Sequence, residues 1–232
     1  MEKVVLLHGA LGSKDQFKDL AELLSVEFEV YTLNFSGHGG QDFHHQEFSI
    51  HDFAKEVLHF LDQNKIESIS IFGYSMGGYV ALYLAKHFPE RIKKIFTLAT
   101  KLDWRIENSI QESKLLNPTI IKEKVPKYAT TLEQLHGDSW VKLINKTAEL
   151  ILDLGANAVL KEADFKNINV PILLAVGDKD VMVSLEETIA VYRLIPNSQL
   201  LIFPNTSHPI NCVALESLYF QIKKFFQLTV PH

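Results

Sequence analysis

Apolar residues fall in six short runs along the chain, at residues 4–7, 28–33, 68–72, 92–98, 170–176 and 199–203. Several are apolar throughout, the pattern of strands covered on both faces. Between them, residues 14–24, 50–64, 75–87, 184–194 and 209–227 carry apolar side chains at helical spacing. Strand and helix in alternation predict an α/β fold, with about six mainly parallel strands flanked by helices and joined by right-handed crossovers.

The alternation breaks once. Residues 101–166 hold no convincing strand, only helix-like stretches divided at Asn117-Pro118, Val125-Pro126, His136-Gly137-Asp138 and Gly155. Both tryptophans, Trp104 and Trp140, lie here. Over sixty residues is long for a connection, so a helical insertion on one end of the sheet is expected. The chain then divides into a core of residues 1–100 and 167–232 and an inserted unit of 101–166.

Composition narrows the function classes more than the fold. The 232 residues are 47% hydrophobic and 22% charged, ordinary for a soluble domain. A net charge of −5 gives no reason to expect nucleic acid or an anionic membrane as partner. One cysteine, Cys212, excludes an internal disulfide and suits a reducing compartment; its apolar neighbours predict a small buried side chain. Met1-Glu2-Lys3 leads directly into the first strand, with no basic stretch ahead of a long apolar core, and no run approaches the ~20 residues that span a bilayer. A cytoplasmic protein, monomer or homodimer, is expected.

Candidate chemistry sits where the third run meets the third helical stretch. Gly73-Tyr74-Ser75-Met76-Gly77-Gly78 matches G-x-S-x-G, with a strand before it and a helix after. Glycines let other backbone pack closely around a sharp turn, so the Ser75 hydroxyl projects from the carboxyl end of the strand. The Met76 amide, at the helix start, faces the same space. A serine hydroxyl needs a base, itself oriented by an acid. In an open parallel sheet these partners come from loops at the same carboxyl edge. The fifth run is followed by Gly177-Asp178-Lys179-Asp180 and the sixth by Pro204-Asn205-Thr206-Ser207-His208. Asp180 and His208 are separated by about one βαβ unit, so adjacent loops carry them. Asp178 is a near rival for the acid and Asp103 a more distant one. A second oxyanion donor is expected from the Ala10 amide in His8-Gly9-Ala10-Leu11-Gly12, at the end of the first strand.

Over essentially its whole length the chain resembles the α/β-hydrolase superfamily. His8-Gly9-Ala10-Leu11-Gly12, Ser36-Gly37-His38-Gly39, the Ser75 pentapeptide, Gly177-Asp178-Lys179-Asp180 and His208 follow in that family's order. The resemblance implies the α/β-hydrolase fold, a nucleophile at Ser75, an acid at Asp180 (the family's G-x-x-D spacing), a base at His208 and a helical cap at 101–166. The chain opens at what corresponds to the family's third strand, so six parallel strands are expected. Two departures stand out. Asn34-Phe35 precedes the G-H-G turn, where relatives often carry an acidic residue and an arginine. Tyr79 stands where a similar lyase of menaquinone synthesis carries an arginine.

The expected activity is hydrolysis of a small-molecule carboxylic ester or thioester through an acyl-serine, with no metal or cofactor. A carbon–carbon bond hydrolase or lyase using the same three groups is the alternative, and a non-catalytic ligand-binding member the third reading. Leu11, Phe35, Tyr74, Trp104 and Trp140 are candidate pocket residues, each equally able to serve as packing. His8 and His38, beside glycines, are expected to brace loops rather than move protons. His44-His45 with Asp42 lacks a third ligand at metal spacing and reads as a solvated loop. His232 is terminal.

Overall fold

The computed structural model describes residues 1–44 and 48–227. Six strands, β1 (Glu2–Leu7), β2 (Phe28–Leu33), β3 (Ile69–Tyr74), β4 (Ile92–Leu98), β5 (Ile172–Gly177) and β6 (Ser198–Phe203), form one sheet in the order β2-β1-β3-β4-β5-β6. Every pairing is parallel. β3 and β5 are buried at every position, which explains their unbroken apolar sequences.

Alternation along the strands divides the core in two. Val4, Leu6, Phe72, Phe96 and Leu173 face helices α1 (Lys18–Leu24) and α10 (Leu215–Gln227). Val5, Leu7, Ile71, Ile95 and Leu174 face α2 (Ile50–Gln63), α3 (Met76–His87) and α9 (Leu185–Leu194). Ser49 starts α2 by accepting the Asp52 amide, and Ser184 starts α9 in a capping box with Glu187. Such caps contribute about 1 kcal/mol each. Burying one Leu or Phe contributes roughly 1.5–3 kcal/mol, so the two apolar layers dominate. Among the described residues, no helix is long and apolar enough to cross a membrane.

Between β4 and β5 the chain forms α4 (Ile106–Leu115), α5 (Pro118–Lys124), α6 (Pro126–His136), α7 (Trp140–Ala156) and α8 (Glu162–Lys166), without a strand. Asn117 caps α5 through the Thr119 and Ile120 amides, and Gly137, at φ 63°, ends α6. Three local expectations are corrected. Gly155 does not divide helices but lies inside α7, where a Cβ would overlap the Ser109 side chain; its absence lets α7 cross α4 closely. Helix does not begin at Pro209: a short 3₁₀ turn, Ile210–Cys212, and extended Val213 precede α10. Cys212 on that turn is exposed, and Val213 makes the buried contact instead.

Candidate active site

The chain places β2 on one side of β1 and β3 on the other, so the β1 and β3 carboxyl ends flank the point where strand order reverses. Ligands of open parallel sheets bind at such points. Ser75 leaves β3 there at φ 51°, ψ −117°, a conformation that disfavours any side chain, and α3 begins at the next residue. Its amide is held by the Leu98 carbonyl at 2.8 Å, at the end of β4. The turn is possible because Gly77 packs against β1: a Cβ there would lie well inside contact distance of the Leu7 and His8 carbonyls. Backbone cannot yield as a flexible side chain does. Gly77→Ala is therefore expected to cost at least ~3 kcal/mol, lowering the unfolding temperature by about 6 °C or more in a calorimetric scan. A smaller change would mean that the turn relaxes easily.

Strain gathers at this edge. Leu11, Ser75, Ala99 and Asn205 all take positive φ, in loops after β1, β3, β4 and β6. Only one other described non-glycine residue, Lys65, does so.

The β5 and β6 loops bring Asp180 and His208 together. His208 Nδ1 lies 2.8 Å from Asp180 Oδ2, and the Asp180 side chain is fully covered. The other oxygen, Oδ1, accepts the Met182 and Val183 amides at 2.8 and 2.9 Å. Tyr74 packs its ring beside His208 and donates its hydroxyl to the His208 carbonyl at 3.1 Å. Neither rival acid reaches the imidazole. Asp178 Oδ1 accepts the Thr206 amide, clasping the two loops, and Asp103 pairs with Arg105.

Ser75 and His208 share the wall of one cavity of about 90 Å³, with Ala10 and Met76 beside them. No hydrogen bond joins the Ser75 hydroxyl to the imidazole in this structure; such contacts often tighten only around substrate. The Ala10 and Met76 amides are not engaged by other protein groups and adjoin the same space. The remaining wall is mostly apolar, with Lys101, Glu112 and Thr147 as its polar members: Ile50, Tyr79 and Val183 come from the sheet side, and Trp104, Leu150 and Leu154 from the segment between β4 and β5.

Of the pocket residues expected from sequence, Trp104 lines the cavity. Leu11 and Trp140 instead join a small core with Ile121, Leu132 and Leu143, and Phe35 is enclosed between His8 and Phe53. Tyr74 supports His208 from beneath. Sequence reasoning missed Leu150 and Leu154, whose helical spacing marks them only as core. It also missed Glu187, whose carboxylate accepts the Leu102 and Asp103 amides at 2.9 Å and fixes the entry to the inserted segment.

Three buried histidines brace the loops behind the site. His8 contacts the Gly9 carbonyl through Nδ1 at 2.8 Å and accepts the Phe35 amide at Nε2, which requires the neutral Nδ1–H form. His38 contacts the Ser36 carbonyl, and His136 bridges the Gly39 amide and the Leu11 carbonyl. His44 sits in the exposed loop with its amide on Ser36 Oγ; His45 and His232 lie outside the described residues.

Burial pushes the His8 imidazole down to about 4, and lowers His38 and His136 for the same reason. Between pH 6.5 and 4 the unfolded chain binds protons that these folded sites refuse, so stability falls as pH falls through that window. For His8 alone this amounts to roughly 3 kcal/mol. Glu56, raised to about 7 by burial, acts oppositely and gains stability on acidification. Three imidazoles against one partly exposed carboxyl predict a net loss. Unfolding temperatures measured from pH 8 to 4 should decline, more steeply in Glu56→Gln, and a flat profile in that variant would contradict the assignment.

Residues 3–119 match the alpha/beta hydrolase fold family, and the chain belongs to it. Pimeloyl-[acyl-carrier protein] methyl ester esterase of Neisseria meningitidis serogroup A is 26% identical over 228 residues, covering 90% of this chain and 71% of that protein. A probable alcohol acetyltransferase of Wickerhamomyces anomalus is 33% identical over 94 residues, 40% of this chain but only 27% of that longer protein. Among solved structures, the enol-lactonase from Burkholderia xenovorans LB400 superposes with a TM-score of 0.79 at 17% identity, covering 98% of this chain and 92% of that one. At that identity the likeness concerns the fold alone.

Proposed function

We propose that the protein is a serine hydrolase that cleaves a small carboxylic ester or thioester through an acyl-serine intermediate. The observation that carries the reading is the Asp180–His208 hydrogen bond on the wall that also presents Ser75. His208 Nε2 takes the Ser75 proton as the hydroxyl attacks the acyl carbon, and Asp180 holds Nδ1 protonated and offsets the imidazolium charge. The Ala10 and Met76 amides receive the oxyanion, assisted by the positive end of α3. The alcohol or thiol departs with the proton from His208, and water activated by the same imidazole releases the acid.

Residues 101–166 act as a cap, supplying Trp104, Leu150 and Leu154 to the acyl cavity and keeping bulk water from it. A methyl ester esterase as a relative over 90% of the chain supports ester chemistry. Tyr79, where the related lyase has arginine, turns its hydroxyl to the Leu160 amide rather than offering a cation to a dicarboxylate. A panel of p-nitrophenyl esters and acyl-CoA thioesters of graded length, together with a fluorophosphonate probe, tests the reading. Labelling at Ser75 with turnover of at least one series is expected; folded protein that neither labels nor turns over refutes it.

A further inference from the structure

The cavity beside Ser75 and an open polar groove outside it share three residues, Lys101, Glu112 and Met182. Lys101 follows the carboxyl end of β4, Glu112 stands on α4, and Met182 lies just past Asp180. Lys101 Nζ is 2.7 Å from a Glu112 carboxylate oxygen and 3.5 Å from the Met182 carbonyl. Both side chains are mostly covered, at 14% and 27% exposure, so the pair meets in a poorly solvated partition. No other Lys, Arg, Asp or Glu lines the cavity among the described residues.

We infer that the Lys101–Glu112 ion pair is the specificity-determining partition of the site, restricting the cavity to acyl chains without charge. This rests on the esterase reading for its substrate class. Glu112 neutralises the one ammonium that reaches the cavity. An acyl chain ending in a carboxylate must then either lie beside Glu112, a like charge only partly screened by water, or displace it from Lys101 and leave its partly covered carboxylate unpaired. Rejection of the wrong substrate comes from that repulsion rather than from any contact with the right one. Removing the Glu112 charge reverses the preference, because Lys101 becomes an unpaired cation that a terminal carboxylate can satisfy.

Glu112→Gln preserves shape and removes the charge. With p-nitrophenyl valerate and the mono-p-nitrophenyl ester of glutarate, equal in length, the native enzyme is expected to favour valerate. The variant should move the kcat/KM ratio toward glutarate by about tenfold or more. A folded variant whose ratio stays within about twofold of native overturns the inference, that being within the ordinary error of comparing distant effects. The apolar double variant, Lys101→Met with Glu112→Leu, should keep the valerate preference, and a gain of glutarate turnover there would overturn it equally. Absence of all Ser75-dependent hydrolysis sinks the esterase reading instead. The charge logic is then decided by calorimetric binding of methyl valerate and monomethyl glutarate to Ser75→Ala, where adding Glu112→Gln must favour monomethyl glutarate by a similar factor.

Discussion

Ser75→Ala is expected to reduce ester turnover by about 10⁴-fold or more, to a residue supplied by oxyanion donors and binding alone. The unfolding temperature should scarcely change. The Ser75 hydroxyl makes no hydrogen bond within the protein, and alanine inherits the same unfavourable backbone at φ 51°, ψ −117°. Ser75→Gly separates strain from chemistry. Without a Cβ the turn loses its penalty, so this variant should be as inactive yet more stable, by on the order of 1 kcal/mol. Activity and thermal unfolding measured on both variants check the two halves independently. Turnover surviving in either would remove Ser75 from the reaction, and a glycine variant no more stable than alanine would remove the claim of stored strain.

That strain was only half legible in the sequence. The G-x-S-x-G spacing between an apolar run and a helix announces a tight turn, because strand and helix leave no residues for a loop. Asn205 carries a partial signature, since asparagine tolerates positive φ, but the positive φ of Leu11 and Ala99 has none. Six strands were readable because two-sided burial writes unbroken apolar runs, as in β3 and β5. The cavity wall was not. Leu150 and Leu154 face Ser75 by virtue of how α7 lies across the sheet edge, and helical periodicity records a buried face without saying what it faces. Phe35 and Trp140 show the converse: aromatic residues expected to line the pocket were drawn into packing, Phe35 against the His8 ring and Trp140 beneath Lys122. The Lys101–Glu112 pair joins a strand end to an inserted helix, and no spacing rule links two such positions.

Asp180→Asn and Asp178→Asn, two residues apart, are expected to differ by orders of magnitude. Asp180 uses its two oxygens differently: Oδ1 accepts two backbone amides, from Met182 and Val183, and Oδ2 faces His208 Nδ1. In asparagine the carbonyl oxygen must stay with the two amides, since an NH₂ there would set donor against donors. The NH₂ is thus directed at His208, which has to present Nδ1 as an acceptor and carry its proton on Nε2. That tautomer cannot take the Ser75 proton, and the positive charge of the imidazolium loses its counterion. A loss of about 10⁴-fold in kcat follows, with the fold intact because every backbone contact survives. Asp178 uses Oδ1 to accept the Thr206 amide at 3.1 Å, and an asparagine carbonyl accepts it as well. Its variant should lose less than about tenfold, with a modest drop in unfolding temperature. Steady-state kinetics beside thermal melts separate the cases: if Asp178→Asn proves the damaging change while Asp180→Asn remains active, the hydrogen bond at His208 supports a loop rather than a reaction.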